Sequence, residues 1–172
     1  MANHPSAAVK ASQVTALTNG KYHGDREGFL DFWDKAIALG IMASGATAFF
    51  DLFGVANQKL GSAIFFLFGL AQIVFSLSIR ARKHAYLRER YFAIAAKLEK
   101  QALDPLSANA EMLELAGTED PPYSAVHALA ENWATRSILG DERSLPCRVG
   151  FFRRRLRNWL RQEDADFATP KR

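Results

Sequence analysis

From Gly61 to Ile79 the chain reads "GSAIFFLFGLAQIVFSLSI", nineteen residues without a charge. Roughly 20 apolar residues carry a helix across the hydrocarbon core of a bilayer. The run stops abruptly at Arg80, Arg82 and Lys83, with His84, Arg88 and Arg90 close behind. A sharp change from apolar to basic is the pattern of a membrane boundary. The stretch is therefore expected to span a membrane, and every other segment has to be placed around it.

A second apolar stretch precedes it. "DKAIALGIMASGATAFFDLF", Asp34 to Phe53, has fifteen uncharged residues between Lys35 and Asp51. Alone that is short for a span. The connection to Gly61 is only "GVANQKL", which reads as a hairpin turn. The pattern predicts two antiparallel spans, residues 34–56 and 61–79, with Asp51 near the turn-side interface. Phe29, Phe32 and Trp33 supply aromatics at the headgroup level. Lys21, Arg26 and Lys35 precede the first span and a basic cluster follows the second, whereas the turn offers only Lys59. The positive-inside bias puts both termini in the cytoplasm. The alternative is a soluble bundle around a buried hairpin, since a fully buried helix is also apolar all round. A chain of 172 residues has little polar remainder with which to cover two such helices.

The predicted spans carry small and polar residues at helical spacing. Ala36, Gly40, Ser44 and Ala48 recur at every fourth position, a small-xxx-small ridge that lets helices approach closely in lipid. Gly40, Ser44, Thr47 and Asp51 form an increasingly polar stripe. Ser62, Gly69, Gln72 and Ser76 share a face of the second span. Polar groups in a span face protein or water rather than lipid. Gly40, Ser44, Thr47, Asp51, Gly69, Gln72 and Ser76 are therefore either a packing face or the lining of a pore built by oligomerised hairpins.

Beyond the membrane, Gly61 to Leu103 contains no proline and one internal glycine, Gly69, which predicts a long continuous helix. Leu87, Tyr91, Ile94 and Leu98 form an apolar seam on it and need a partner. A second copy of the chain is the expected partner. "DPLSANAEMLELAG" predicts a helix closed by Gly117. A second helix is expected from Asp120 as N-cap to Gly140, with Val126, Leu129, Ala130, Trp133 and Ile138 buried and His127 as a core or capping residue. "CRVGFFRRRLRNWLRQED" predicts an amphipathic helix. Its Arg153, Arg154, Arg155, Arg157 and Trp159 suit an anionic membrane surface, a protein partner or nucleic acid. Arg80, Arg82 and Lys83 suit the membrane surface too. "ADFATPKR" reads as a frayed tail.

Charge sharpens this division. Residues 99–131 hold seven acids and one base, Lys100; residues 136–161 hold eight arginines and two acids. An acidic surface within the same chain could therefore receive the arginines. The single cysteine, Cys147, excludes a disulfide within one chain and fits a reducing compartment. "MANHPSAAVKASQVTALTNG" lacks the apolar core of a secretory signal, so the apolar segments are expected in the mature protein. His4, His23, His84 and His127 show no metal-ligand spacing, and neither a phosphate loop nor a nucleophile elbow is present. Arg80 and His84 enclose one residue fewer than the Arg-spacer-His motif of HEPN ribonucleases. No enzymatic activity, metal or cofactor is expected.

Three stretches resemble the SLATT class of prokaryotic two-span effectors and related small phage-type membrane proteins. They are "YHGDREGFLDFWDKAIALGIMASGATAFFDL", "FGLAQIVFSLSIRARKHAYLRERYFAIAAKLE" and "EDPPYSAVHALAEN", which together extend over residues 22–132. The Arg-rich last segment has no place in that pattern. The resemblance implies a homo-oligomeric protein of the bacterial inner membrane that permeabilises it in conflict with phage, when a cytoplasmic partner or sensor signals. The alternative is an anchored scaffold that binds a cytoplasmic partner through its C-terminal helices. Nucleic acid is the weakest of the candidate partners. The expected architecture is all-α: an N-terminal cytoplasmic segment (1–20), a membrane hairpin running into a cytoplasmic helix (21–103) and a helical C-terminal region (104–172).

Overall fold

The computed structural model describes residues 6–51, 58–140, 147 and 149–159, with the backbone alone at 47–51, 58 and 60. The turn expected before Gln58 and the tail from residue 160 lie outside the described residues. Among the described residues the secondary structure is all helical: α1 (Ala7–Asp51), α2 (Gln58–Phe75), α3 (Leu77–Glu99), α4 (Pro105–Ala116), α5 (Ser124–Leu139) and α6 (Phe151–Arg155). One helical stretch, Gly61–Glu99, is long and apolar enough to cross a membrane, with a window of mean hydropathy 2.1. The first predicted span lies in α1, whose charge-free run ends at Asp51, short of the roughly 20 residues required.

Several sequence expectations need correction. The N-terminal segment is not separate, because α1 is a 45-residue helix that passes through residue 20 without interruption. The long helix after Gly61 is broken at Ser76, where φ is 44°. Hydrogen bonds nonetheless run across the break, from Ser76 N–H to Gln72 C=O at 3.3 Å and from Arg80 N–H to Ser76 C=O at 3.2 Å. The break is thus a kink within the ladder. A left-handed residue with a side chain costs roughly 1–2 kcal/mol, and the Ser76 hydroxyl donates to Ile73 C=O at 3.1 Å. α5 starts at Ser124 with Tyr123 as N-cap, not at Asp120, and Trp133 is exposed. The amphipathic segment is α-helical only over Phe151–Arg155 among the described residues.

The chain divides into two compact units, one of Met1–Arg26 with His84–Arg172 and one of Glu27–Lys83. The first has its core where α1, α3 and α4 meet. Ala16, Leu87, Tyr91, Ile94, Leu98, Ala108 and Met112 pack together, and Leu17 and Leu103 close the edges. The partner that the Leu87–Leu98 seam required is thus supplied within the chain, and a second copy is not needed to cover it. Further along α1, Tyr22 packs with Val126 and Ala130 of α5. α1 and α3 run antiparallel and close together here. A Cβ on Gly20 would stand 3.0 Å from the Phe92 ring, which is why the bare backbone of glycine is used at that point.

Local signals close the elements of this unit. α3 ends in a Schellman motif: Ala102 N–H donates to Lys97 C=O at 2.9 Å and Gln101 N–H to Leu98 C=O at 3.1 Å, with Gln101 left-handed at φ 54°. α4 begins on Asp104, whose carboxylate accepts from Leu106 and Ser107 N–H, followed by Pro105 and ended by Gly117. Those hydrogen bonds, from Ser107 foremost, hold the Asp104 carboxyl below its ordinary range.

In the second unit α1 and α2 also run antiparallel. Asp34 meets Gln72, whose amide N–H donates to Asp34 Oδ1 at 2.8 Å. Six residues further along α1, Gly40 lies under the Phe68 ring, close enough that an added Cβ would stand 2.6 Å from it. The outer face of α2 is apolar and open: Phe66, Ile73 and Val74 are 67%, 76% and 65% exposed.

Candidate functional site

The residues expected to line a packing face or pore fall in the Glu27–Lys83 unit. Gly40 and Gln72 are used between α1 and α2, under Phe68 and beside Asp34 respectively. Ser44 is buried and its hydroxyl donates back to Gly40 and Ile41 C=O at 2.8 and 3.0 Å. Ser76 sits at the kink. A Cβ on Gly69 would meet nothing within 4 Å, so its face is open. Thr47 and Asp51 belong to α1, but their side chains lie outside the described residues. The contacts at Gly40 and Gln72 are helix packing inside one hairpin. One polar atom remains unsatisfied there: Gln72 Oε1 is buried without a hydrogen-bond partner. A buried acceptor left unmade carries a desolvation penalty of about 1–3 kcal/mol.

Arg80, Arg82 and Lys83 follow the kink on α3 and are exposed. Arg153, Arg154 and Arg155 are exposed on α6, as are Phe151, Phe152 and Trp159. Two acids of the acidic stretch have partners within the same unit. Glu111 takes Lys97 at 3.3 Å, and Glu119 lies 3.2 Å from His23 Nε2. The C-terminal segment is held at two backbone points. Asn132 donates to Cys147 C=O at 2.8 Å and accepts from Cys147 N–H at 2.7 Å. Arg26 donates to Asn158 C=O at 2.9 Å and to its amide oxygen at 3.2 Å, while its guanidinium sits 3.8 Å over the Tyr123 ring. Burial pushes the Cys147 thiol up.

The densest polar chemistry was not visible in the sequence. It lies in the unit that holds the N-terminal half of α1, at the end where its share of α1 stops at Arg26 and its share of α3 starts at His84. His23, only 1% exposed, places Nδ1 2.7 Å from His84 Nδ1. Its Nε2 lies 3.2 Å from Glu119 Oε1 but off the line of a proper hydrogen bond. The same oxygen accepts the Tyr91 hydroxyl at 2.5 Å, and the Tyr91 ring stacks on His23 with centroids 5.6 Å apart. Tyr22 stands edge-on to both His23 and His84, its hydroxyl accepts Tyr123 N–H at 3.2 Å, and His127 lies 6.0 Å away.

The electrostatics follow from burial and from these partners. Burial works to raise the Glu119 carboxyl, but the nearby His23 imidazole, the Tyr91 hydrogen bond and the charges of His23 and His84 outweigh it, so Glu119 is held below its ordinary value. Burial first, then Glu119, pushes the Tyr91 phenol far up, and burial raises Tyr22 as well. Burial lowers His127, against the attraction of Glu131 and Glu119. The two Nδ1 atoms can share one proton along the line between them. Among the described residues no group of three or more His, Cys, Asp or Glu is arranged to hold a metal ion.

A cleft of about 500 Å³ opens between α1, α3 and α5 and is lined by Lys10, Gln13, Phe92, Glu99 and Ser137 among others.

These features define a class: a protein that among the described residues is all helical, with one helix long and apolar enough to cross a membrane and a helical unit with a buried polar cluster. No protein-family model, no curated protein and no solved structure matches the chain.

Proposed function

We propose that the chain is a two-span, homo-oligomeric protein of the bacterial inner membrane that perturbs or perforates the bilayer, in the manner of SLATT-type effectors in phage conflict. The observation that carries this is the open apolar surface of α2, where Phe66, Ile73 and Val74 stand outward. The core helix of a soluble bundle would bury those side chains; lipid is the solvent that suits them. The Gly40–Phe68 and Asp34–Gln72 contacts favour α1 as the second span, because they join it to α2 along its apolar run. The basic cluster at Arg80, Arg82 and Lys83 then puts both termini on the cytoplasmic side.

Vesicles with an encapsulated dye test the function. Leakage is expected with the wild-type protein, and its loss with Asp51→Ala, Gln72→Leu and Ser76→Leu combined, while all proteins stay resistant to alkaline extraction. Leakage that persists in the triple variant removes the lumen assignment, and no leakage at any protein-to-lipid ratio removes the pore.

An anchored scaffold is the second reading. It is favoured by the Leu87–Leu98 seam, which is already covered within the chain, and by the exposed Phe151 and Phe152 beside the arginines of α6. Deleting residues 144–172 is then expected to abolish partner binding and leave insertion intact. A monomer by mass measurement in detergent would favour this reading over the first.

A further inference from the structure

We propose that the His23–His84 pair is an acid-operated latch that fastens α1 to α3: it is closed while one proton lies between the two rings and opens when a second arrives. The latch goes beyond the membrane reading and stands whether or not the hairpin perturbs a bilayer. Its basis is the 2.7 Å separation of the two Nδ1 atoms. At that distance one ring donates and the other accepts, so a single proton occupies the line between them.

Two protonation states satisfy this geometry. In the neutral pair, His84 Nδ1–H donates to His23 Nδ1, and His23 carries its own proton on Nε2, toward Glu119. A proton added at His84 Nε2 lets the shared proton cross to His23, which as an imidazolium donates Nδ1–H to His84 and presents Nε2–H to the Glu119 carboxylate 3.2 Å away. A further proton places an N–H on both Nδ1 atoms. Two donors then point at each other along a hydrogen-bond distance, on cationic rings whose centroids are 5.0 Å apart. The contact cannot survive, and the rings have to separate.

The surroundings decide how the strain is felt. On α1 the neighbours are Tyr22 and the fixed charge of Arg26; on α3 they are Tyr91 and Arg88, whose side chain lies 3.3 Å from a Cβ placed on Gly24. The segment before α5 contributes Glu119 and Tyr123, and α5 contributes His127, with Glu131 acting on it. Tyr91 stacks on one face of His23 and Tyr22 stands at its edge, so the ring has little room to turn in place. Separation of the rings therefore means separation of the helices that carry them. His84 is the first α3 residue of this unit and His23 stands three residues before its last α1 residue, Arg26. The pair closes the end of the unit, where opening displaces the fewest core side chains.

Amide hydrogen exchange on the full-length protein in lipid nanodiscs tests the latch, after correction for the intrinsic effect of pH on exchange. Between about pH 7.5 and about pH 5, where histidines titrate, peptides covering residues 16–26 and 84–94 are expected to lose protection about tenfold or more. His84→Gln offers an amide in place of the ring and binds no second proton. It is expected to remove that response, while His127→Gln retains it. A wild-type protein equally protected at both pH values overturns the latch, as does a His84→Gln protein that responds like the wild type. Side-chain ¹⁵N NMR of the wild type gives a readout that no variant can spoil by misfolding. Two coupled titration steps for His23 and His84 are expected; two independent single-step titrations overturn the proposal.

Discussion

The two units use the same kind of helix pair and turn it opposite ways. In the unit of α1, α3, α4 and α5, apolar side chains such as Leu87 and Ile94 are almost wholly buried, and a polar cluster is sealed among them. In the unit of α1 and α2, Phe65, Phe66, Ile73 and Phe75 stand outside and one inner contact is a glycine under a phenylalanine. The first is stabilised by removing apolar surface from water. The second is joined by close backbone approach and a part-buried amide–carboxylate hydrogen bond, interactions of the kind that would still hold helices together in lipid.

Substitution can break that contrast. Leu87→Ala removes a buried side chain beside Ile94 and Tyr91, and is expected to destabilise the helical unit by about 2–5 kcal/mol, read by thermal or denaturant unfolding. Ile73→Ala on the open face of α2 is expected to leave the same transition unmoved. A charge reverses the roles. Ile73→Arg near the middle of the apolar run is expected to disfavour insertion by about 2.5–3.5 kcal/mol, read as the membrane-inserted fraction, with no change in the helical unit. If Ile73→Arg inserts as well as the wild type, α2 does not face lipid.

Gly40→Val tests the inner contact of the hairpin. The valine would collide with the Phe68 ring, so cross-linking between cysteines placed on α1 and α2 is expected to fall, with Gly40→Val plus Phe68→Ala recovering part of it. Gly45→Val, where an added Cβ meets nothing within 4 Å, is the matched control.

The buried cluster predicts a pH dependence confined to the helical unit. His127 and Glu119 both have folded values below their ordinary ones, 6.5 and 4.5. Where the folded value is depressed, the unfolded chain binds protons first and stability falls with acid. The His127 contribution is expected to erode as pH falls below 6.5, and that of Glu119 only below 4.5. Melting temperatures measured across this range check the order. His127→Gln is expected to lessen the upper part of the decline, leaving what the His23–His84 pair contributes there, and Glu119→Gln to lessen the lower part.

The smallest effect expected is a gain. Gln101→Gly relieves a left-handed residue at the end of α3 and is expected to add about 0.5–1 kcal/mol of stability, seen as a small rise in the midpoint of chemical unfolding.

Much of this was legible in the sequence where the cause is local. The helical class follows from periodicity, and the limits of α4 from Asp104, Pro105 and Gly117. The apolar stretch after Gly61 announces itself by length. The kink at Ser76 left no such mark, because nothing in "QIVFSLSI" forbids a straight helix. The fate of the Leu87–Leu98 seam was half legible: its burial could be read, but not that Ala16 and Met112 would cover it. The polar cluster was invisible because His23 and His84 are 61 residues apart and neither sits in a motif. Only the antiparallel register of α1 and α3 brings them together. Tyr22, His23 and Arg26 could have been flagged as polar residues on the face of α1 that also carries Ala16 and Leu30, but such residues are as readily assigned to solvent.

Asn132 shows what one short side chain can do for a segment with little structure of its own. Its amide meets the backbone of Cys147 as a neighbouring peptide group would, donating on one side and accepting on the other. The side chain thus serves as a rung without a strand. Aspartate has the same outline but would set a second acceptor against the Cys147 carbonyl, and glutamine would carry the amide one methylene too far. Between them, this rung and the Arg26 grip on Asn158 fix both ends of a stretch that contains α6. The exposed aromatics and arginines are therefore offered to their surroundings from an anchored loop rather than from a free-swinging tail.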